Sequence, residues 1–380
     1  MALGWARRGV LIVRLILHIG THKTGTSALQ ECLRRNEGTL AKKGIHYART
    51  ARSKNANGLA RLVAKSRRAE AQDFVNQHIA KARAIGADRL LISAESFYAM
   101  TIFFHRFNGN EYNDYWESES EAIELLKRLL PQDLPRKIIV FFRRQDYFLE
   151  SIYRQVVKSS RAVSMTIEEL RAFMSEALNY QRHMDIWNAA FPDCTVYTYE
   201  QASDNISEFF LRNVLQLENM QEFDGLDLRL NMRLSREVLE YKRLLNCMEM
   251  SPVDRRMSNL ACTKLAQILT DDGRFRDFLA PESRATLLSE MERGNALLTQ
   301  KFGMEPFPAS STVDWAPYPG LSAERARELA EHHARIKRSA AYQIEHFALS
   351  ARQFVRQRLP MLAWIIPLAR SLLPQHRRAP

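Results

Sequence analysis

Four short apolar runs, rich in β-branched and aromatic residues, interrupt a chain otherwise patterned for helices. They are VLIVRLILHI (Val10 to Ile19), RLLISAESF (Arg89 to Phe97), RKIIVFFRR (Arg136 to Arg144) and CTVYTYE (Cys194 to Glu200). Runs of this kind predict buried strands. Between them the spacing becomes helical. Leu29, Leu33 and Leu40 share one face, and Gly44 stands where a C-cap glycine belongs. Residues 59–87 read as one helix, dominated by Ala, Leu, Arg and Gln and free of proline. Glu121 to Leu130 forms an amphipathic helix closed by Pro131, and a helix runs on from Leu149, with another ending near Phe191. Residues 101–117 are aromatic and rich in Asn and Gly, and read as an irregular loop or short lid. Beyond about residue 203 the chain reads as mostly helical. Strands alternating with helices imply an α/β fold with a parallel sheet covered on both faces.

Composition narrows the partners. The 380 residues are 46% hydrophobic, enough for a full core, and carry a net charge of +12 with a pI near 9.6. A basic surface suits an anionic nucleotide, an acidic polymer or a membrane surface. Zinc-ligand spacings, RNA-binding aromatic signatures and basic heptads are all missing, so no nucleic-acid partner is expected. The four cysteines, Cys32, Cys194, Cys247 and Cys262, form no C-x-x-C. Cys32 and Cys194 fall in core patterns, which favours reduced thiols and a cytoplasmic location. The first twenty residues have the look of a secretory signal, yet Arg14 interrupts the apolar run and no small-residue cleavage site follows. No membrane span is expected.

The last 35 residues, from His346, hold six arginines and no acid. Their apolar stretch LPMLAWIIPLARSLL contains two prolines and is too short to cross a bilayer. It reads either as a helix packed on the core or as a basic segment lying on anionic lipid, peripheral to the inner membrane surface.

The chemistry concentrates in HIGTHKTGTSALQ, residues 18–30. A loop here joins a strand to a helix start, where unpaired N–H groups and the helix dipole favour an anion. Lys23 adds a full charge, Gly25 lets a ligand approach the backbone, and Thr24, Thr26 and Ser27 offer donors. Two readings fit. One is the loop of nucleoside triphosphatases and kinases, G-x-x-x-x-G-K-[ST], from which the chain departs because Thr26 follows Gly25. The other is a phosphosulfate loop. A second motif bears on the choice. Arg143 ends the third strand, at the edge where open α/β sheets bind ligands, and Ser151 follows eight residues on in the next helix. A triphosphatase would need an acidic Mg²⁺ ligand at a strand end. Glu95 is the one candidate for it, while the third strand ends in two arginines.

Together the two motifs resemble those of bacterial-type sulfotransferases, which use 3′-phosphoadenosine 5′-phosphosulfate (PAPS), over roughly residues 15–250. SAESF, VYTYE and the stretch Leu228 to Asn246 also match in style, the last with Asn231 and Ser235 as contact candidates. The resemblance implies a P-loop-type three-layer αβα domain over residues 1–250 and a mainly helical C-terminal extension over 251–380. It further implies sulfuryl transfer to an acceptor hydroxyl, with 3′-phosphoadenosine 5′-phosphate as product and no metal. By the same resemblance Lys23 touches the bridging oxygen. His22, Lys23, Thr24, Gly25, Thr26 and Ser27 surround the 5′ group, while Arg143 and Ser151 hold the 3′-phosphate. Glu95 is the first candidate for the base, with burial expected to raise its pKa against the pull of Lys23. His105 is second, and His18 reads as a core histidine. The basic chain and its aromatic loop suit a carbohydrate or glycolipid acceptor. A catalytically silent PAPS-binding protein is the remaining alternative.

Overall fold

The computed structural model describes residues 12–50, 53–109, 114–159, 163–228, 234–269, 277–309 and 318–358, without the side chains of 355–358. The chain divides into two compact units, each discontinuous in sequence. The first gathers residues 1–148, 173–229 and 285–311; the second gathers 149–172, 230–284 and 312–380.

The first unit is α/β. Its elements run β1 (Arg14–His18), α1 (Thr26–Arg35), β2 (Ile45–Ala48), α2 (Asn57–Ala64), α3 (Arg68–Ala84), β3 (Arg89–Ser93), α4 (Met100–Phe104), α5 (Tyr115–Leu129), β4 (Arg136–Phe142), the start of α6 (Gln145–Lys158), and β5 (Cys194–Thr198). All five strands are parallel, in the order β2-β3-β1-β4-β5. On one sheet face Ile16, Tyr47, Leu91, Ile139 and Phe141 pack against Leu29 and Leu33 of α1 and against Phe210 and Leu211. On the other, Leu15, Leu17, Leu90, Ile92, Ile138 and Val140 are fully buried, and Phe142 stacks on Tyr180 with ring centroids 4.2 Å apart. A parallel sheet closed on both faces needs apolar residues at every position, so the strands read as unbroken runs.

Several expected boundaries move. The sheet has five strands, one more than expected. The additional strand, Ile-His-Tyr-Ala of β2, is too short to stand out as a period. Val10 and Leu11, the start of the first predicted strand, lie outside the described residues. The helix expected over 59–87 is two helices, broken at Ser66, whose φ is +52°. Where a loop or lid was expected at 101–117, α4 and the start of α5 are helical.

Tertiary contact explains α4. A five-residue helix cannot sustain itself on propensity. Buried Glu119, from α5, accepts the Met100 and Thr101 N–H groups at 3.0 and 2.9 Å and so closes the first turn of α4.

The second unit is helical among its described residues. It includes α7 (Arg236–Asn246), α8 (Pro252–Ile268), α9 (Ala323–Arg338) and α10 (Ala340–Arg358). Tyr241 meets His333 at 3.0 Å between α7 and α9, and His346 of α10 meets Asp254 of α8 at 3.0 Å. No helix among the described residues is long and apolar enough to cross a membrane.

Glu119 generates a test. Burial pushes its carboxyl up to about 7 from 4.5. A carboxyl raised on folding holds its proton more tightly in the native state. Its stabilising share is complete below about pH 4.5 and lost as pH rises through 7. The melting temperature of the native chain relative to Glu119→Gln should therefore fall between pH 4.5 and 8. Parallel melting profiles for the two proteins would rule out this titration.

Candidate functional site

Three adjacent strands, β3, β1 and β4, end at one edge of the sheet, and each delivers part of the candidate site. The loop after β1 is pinned to β4. Ile19 N–H donates to the Ile139 carbonyl at 2.9 Å, Thr21 N–H to Phe141 at 2.9 Å, and Phe141 N–H back to Gly20 at 2.7 Å. Gly20 has φ +121°, and a Cβ there would stand 2.9 Å from the Glu95 carbonyl oxygen. Only glycine lets β1 leave the sheet this close to the end of β3. Lys23 adopts φ +67° and Gly25 φ +73°, so the loop curls twice through the left-handed region before α1 begins. A Cβ on Gly25 would meet Ile206 at 2.9 Å.

The start of α1 has no side-chain cap and no acid in its first turn. Ala28 and Leu29 N–H groups bond to the Gly25 carbonyl, so the N–H groups of Thr26 and Ser27 lie at the open end of the helix. Thr24 is 1% exposed, and its hydroxyl donates to the Thr21 carbonyl at 2.8 Å. Its hydroxyl therefore braces the loop. Lys23 and Ser27 are half-buried, and Thr26 is buried.

Arg143 reaches this loop. Its Nη1 donates to the Lys23 carbonyl at 3.2 Å, and its guanidinium lies 5.3 Å from the Tyr199 ring centroid and 5.8 Å from that of Tyr147. Arg144, its neighbour, is 3% exposed and committed elsewhere. It forms a two-pronged pair with buried Asp146 at 2.8 and 2.9 Å and donates to the Pro308 carbonyl at 2.8 Å. Of the two arginines that follow β4, one thus reaches the loop and the other is buried with Asp146. Ser151 lies on α6 in the second unit and is half-buried. Ser235 caps α7 by accepting Val238 N–H at 3.3 Å, and Asn231 lies outside the described residues.

Glu95 sits just beyond β3, beside the loop. Asn57 donates to its Oε1 at 2.9 Å, and Gln30 donates to its Oε2. Gln30 is fully buried, also contacts Ser93 at 3.4 Å, and accepts from Asn55 at 2.8 Å. Ser93 in turn meets His18 at 2.9 Å. Burial alone would raise the Glu95 carboxyl, but His22 and the two amides outweigh it and hold it below the usual range. The expected upward shift is thus reversed, because the carboxylate is encircled by donors. His18 is a core histidine, lowered to about 4 by burial against the opposing pulls of Glu95 and the Gly20 backbone.

The other two histidines separate. His22 packs on Phe103 of α4, ring centroids 4.0 Å apart. His105 instead bonds to the Ala64 carbonyl at 2.8 Å, at the C-terminal end of α2, whereas Asn57 at its N-terminal start holds Glu95. Seven residues of helix separate those contacts by about 10 Å. His105 lines a groove of about 790 Å³ with Ser66, Arg68, Glu117 and Glu121.

Four residues of this arrangement were not apparent in the sequence. Gln30 closes the loop stretch of residues 18–30 without carrying a role in it, Asn57 and Lys54 have no motif around them, and Lys54 donates to the Ser27 carbonyl at 2.9 Å in the first turn of α1. Tyr199 belongs to the VYTYE run, whose aromatic character was the available signal. No protein-family model matches the chain, and no curated protein matches it closely enough to count as a relative.

The two arginines should behave differently in urea unfolding. Arg144→Ala strands buried Asp146 and should cost about 3–5 kcal/mol. Arg143→Ala removes the bond to the Lys23 carbonyl and should cost less, about 1 kcal/mol. The reverse ranking would mean that their roles are exchanged.

Proposed function

We propose that the protein is a PAPS-dependent sulfotransferase with a P-loop-type αβα first unit, acting on a hydroxyl of a carbohydrate or glycolipid. The observation that carries this reading is the contact between Arg143 and the Lys23 loop. It brings a second cation to an anion-binding helix start. PAPS has a 5′-phosphosulfate and a separate 3′-phosphate, and so has use for both. The uncapped, acid-free start of α1 fits the first group, and an arginine at the next strand end fits the second. The strand order β2-β3-β1-β4-β5, with the loop after its central strand, supports the P-loop type.

The nucleotide supplies an activated sulfuryl group. Lys23 and the N–H groups of Thr26 and Ser27 stabilise negative charge growing on the leaving phosphate. Arg143 orients the nucleotide through its 3′-phosphate. Glu95 takes the acceptor proton as an ionised carboxylate held in place by Gln30 and Asn57. Its lowered pKa weakens it as a base. His22 is the next candidate for proton acceptor, as a neutral imidazole.

Binding and turnover separate the parts of this reading. The chain should bind 3′-phosphoadenosine 5′-phosphate equally well with and without a chelator, and more tightly than ATP. Arg143→Ala should weaken that binding about ten- to a hundredfold, the worth of one charge-assisted contact. Tight Mg²⁺-dependent ATP binding with hydrolysis would overturn the proposal in favour of a triphosphatase or kinase. With labelled PAPS and a panel of glycans and glycolipids, Glu95→Gln should lower kcat about 10²- to 10⁴-fold while the bisphosphate still binds. His105→Ala, remote from Glu95, should turn over normally. Bisphosphate binding without turnover on any hydroxyl acceptor would leave a silent PAPS-binding protein.

A further inference from the structure

Helix α10 has two apolar faces. Tyr342 and Leu349, at 3% and 8% exposure, turn inward within the second unit. Ala340, Ile344, Phe347, Ala351 and Phe354 follow one another in steps of four, three, four and three, and all are exposed. Such steps keep side chains on a single stripe of a helix. Exposure reaches 67% at Ile344, 75% at Phe347 and 58% at Phe354. From Ile344 to Phe354 the stripe extends about 15 Å. One exposed apolar residue needs no explanation, but a continuous aromatic stripe on a helix already anchored by its other face does.

Charge decides what covers it. The helix carries Arg352, Arg356 and Arg358 against one acid, Glu345. Beyond it, no acid occurs through residue 380, and the next fifteen residues, LPMLAWIIPLARSLL, are mostly apolar. A second copy of α10 would bring one net-positive helix against another. An anionic surface with an apolar interior satisfies both features at once.

We propose that the outward face of α10 docks on an anionic lipid bilayer, with Ile344, Phe347 and Phe354 entering the headgroup boundary and the basic sequence of the C-terminal segment favouring anionic lipid. The inference rests on the second unit alone and is independent of the nucleotide chemistry.

The full chain should co-sediment with vesicles of phosphatidylcholine mixed with phosphatidylglycerol at least about tenfold better than with phosphatidylcholine alone, and high salt should release it. The triple variant Ile344→Ser, Phe347→Ser, Phe354→Ser removes only exposed side chains, so its melting temperature should not fall. Its partition onto the mixed vesicles should drop at least about tenfold. Phe347→Trp provides a second readout, with blue-shifted emission on the mixed vesicles and quenching by brominated lipid. Unchanged partition of the triple variant, or an unquenched tryptophan, would overturn the proposal. Concentration-dependent self-association without vesicle binding, abolished by the triple variant, would overturn it too and assign the stripe to a second copy.

Discussion

A carboxylate taken out of water must be surrounded by donors, and the first unit is organised around meeting that demand at Glu95. Its two oxygens receive amide hydrogens from Gln30 on α1 and Asn57 on α2. Those same amides fix where α1 and α2 begin relative to the end of β3. The loop between β1 and α1 inherits its geometry from this anchorage, from Gly20 packed against the Glu95 backbone, and from the extension of pairing to Phe141 of β4. Removing any one donor would leave a charge that burial penalises heavily. The clamp thus ties the end of β3 to α1 and α2 at the edge where the loop after β1 emerges.

Charge is distributed along this edge by local surroundings. Two consecutive arginines follow β4, and their neighbours differ. Arg144 meets Asp146 inside and becomes structural, while Arg143 emerges between Tyr147 and Tyr199 beside the loop. The aromatic rings lie within cation–π reach of the guanidinium. Glu200 accepts the backbone N–H of Arg144 at 3.1 Å, and burial raises its carboxyl against the opposing pulls of that N–H and of the two arginines.

The second unit poses a different physical problem. Its helices bury polar groups such as Lys242, lowered to about 8 by burial and bonded to Asn246. Asn246 in turn holds the carbonyls of Val157 and Val163, each at 2.9 Å. These are bonds that position segments, and none of them gathers at an open edge. The feature of this unit that faces outward is the stripe on α10. The apolar tail stretch read as a packed helix or a lipid-bound segment, residues 359–373, lies outside the described residues.

The sequence by itself determined the parallel α/β character of the first unit, because strands buried on both faces must be apolar throughout. It also marked the loop after β1, where glycine, lysine and hydroxyls crowd together, and Arg143 at a strand end, because both signals are local. The break at Ser66 and the strand β2 escaped it, since a helix break or a four-residue strand carries too little periodicity. Only the tertiary structure decided the state of Glu95. Burial is legible from the strand pattern, but its effect is reversed by His22 first and by the donors of Gln30, 65 positions away, and Asn57, 38 away. Only the tertiary structure separated Arg143 from Arg144 and His22 from His105, since each pair differs in its neighbours and not in residue type. Chemical identity is written along the chain, whereas protonation and reach depend on what folding brings alongside.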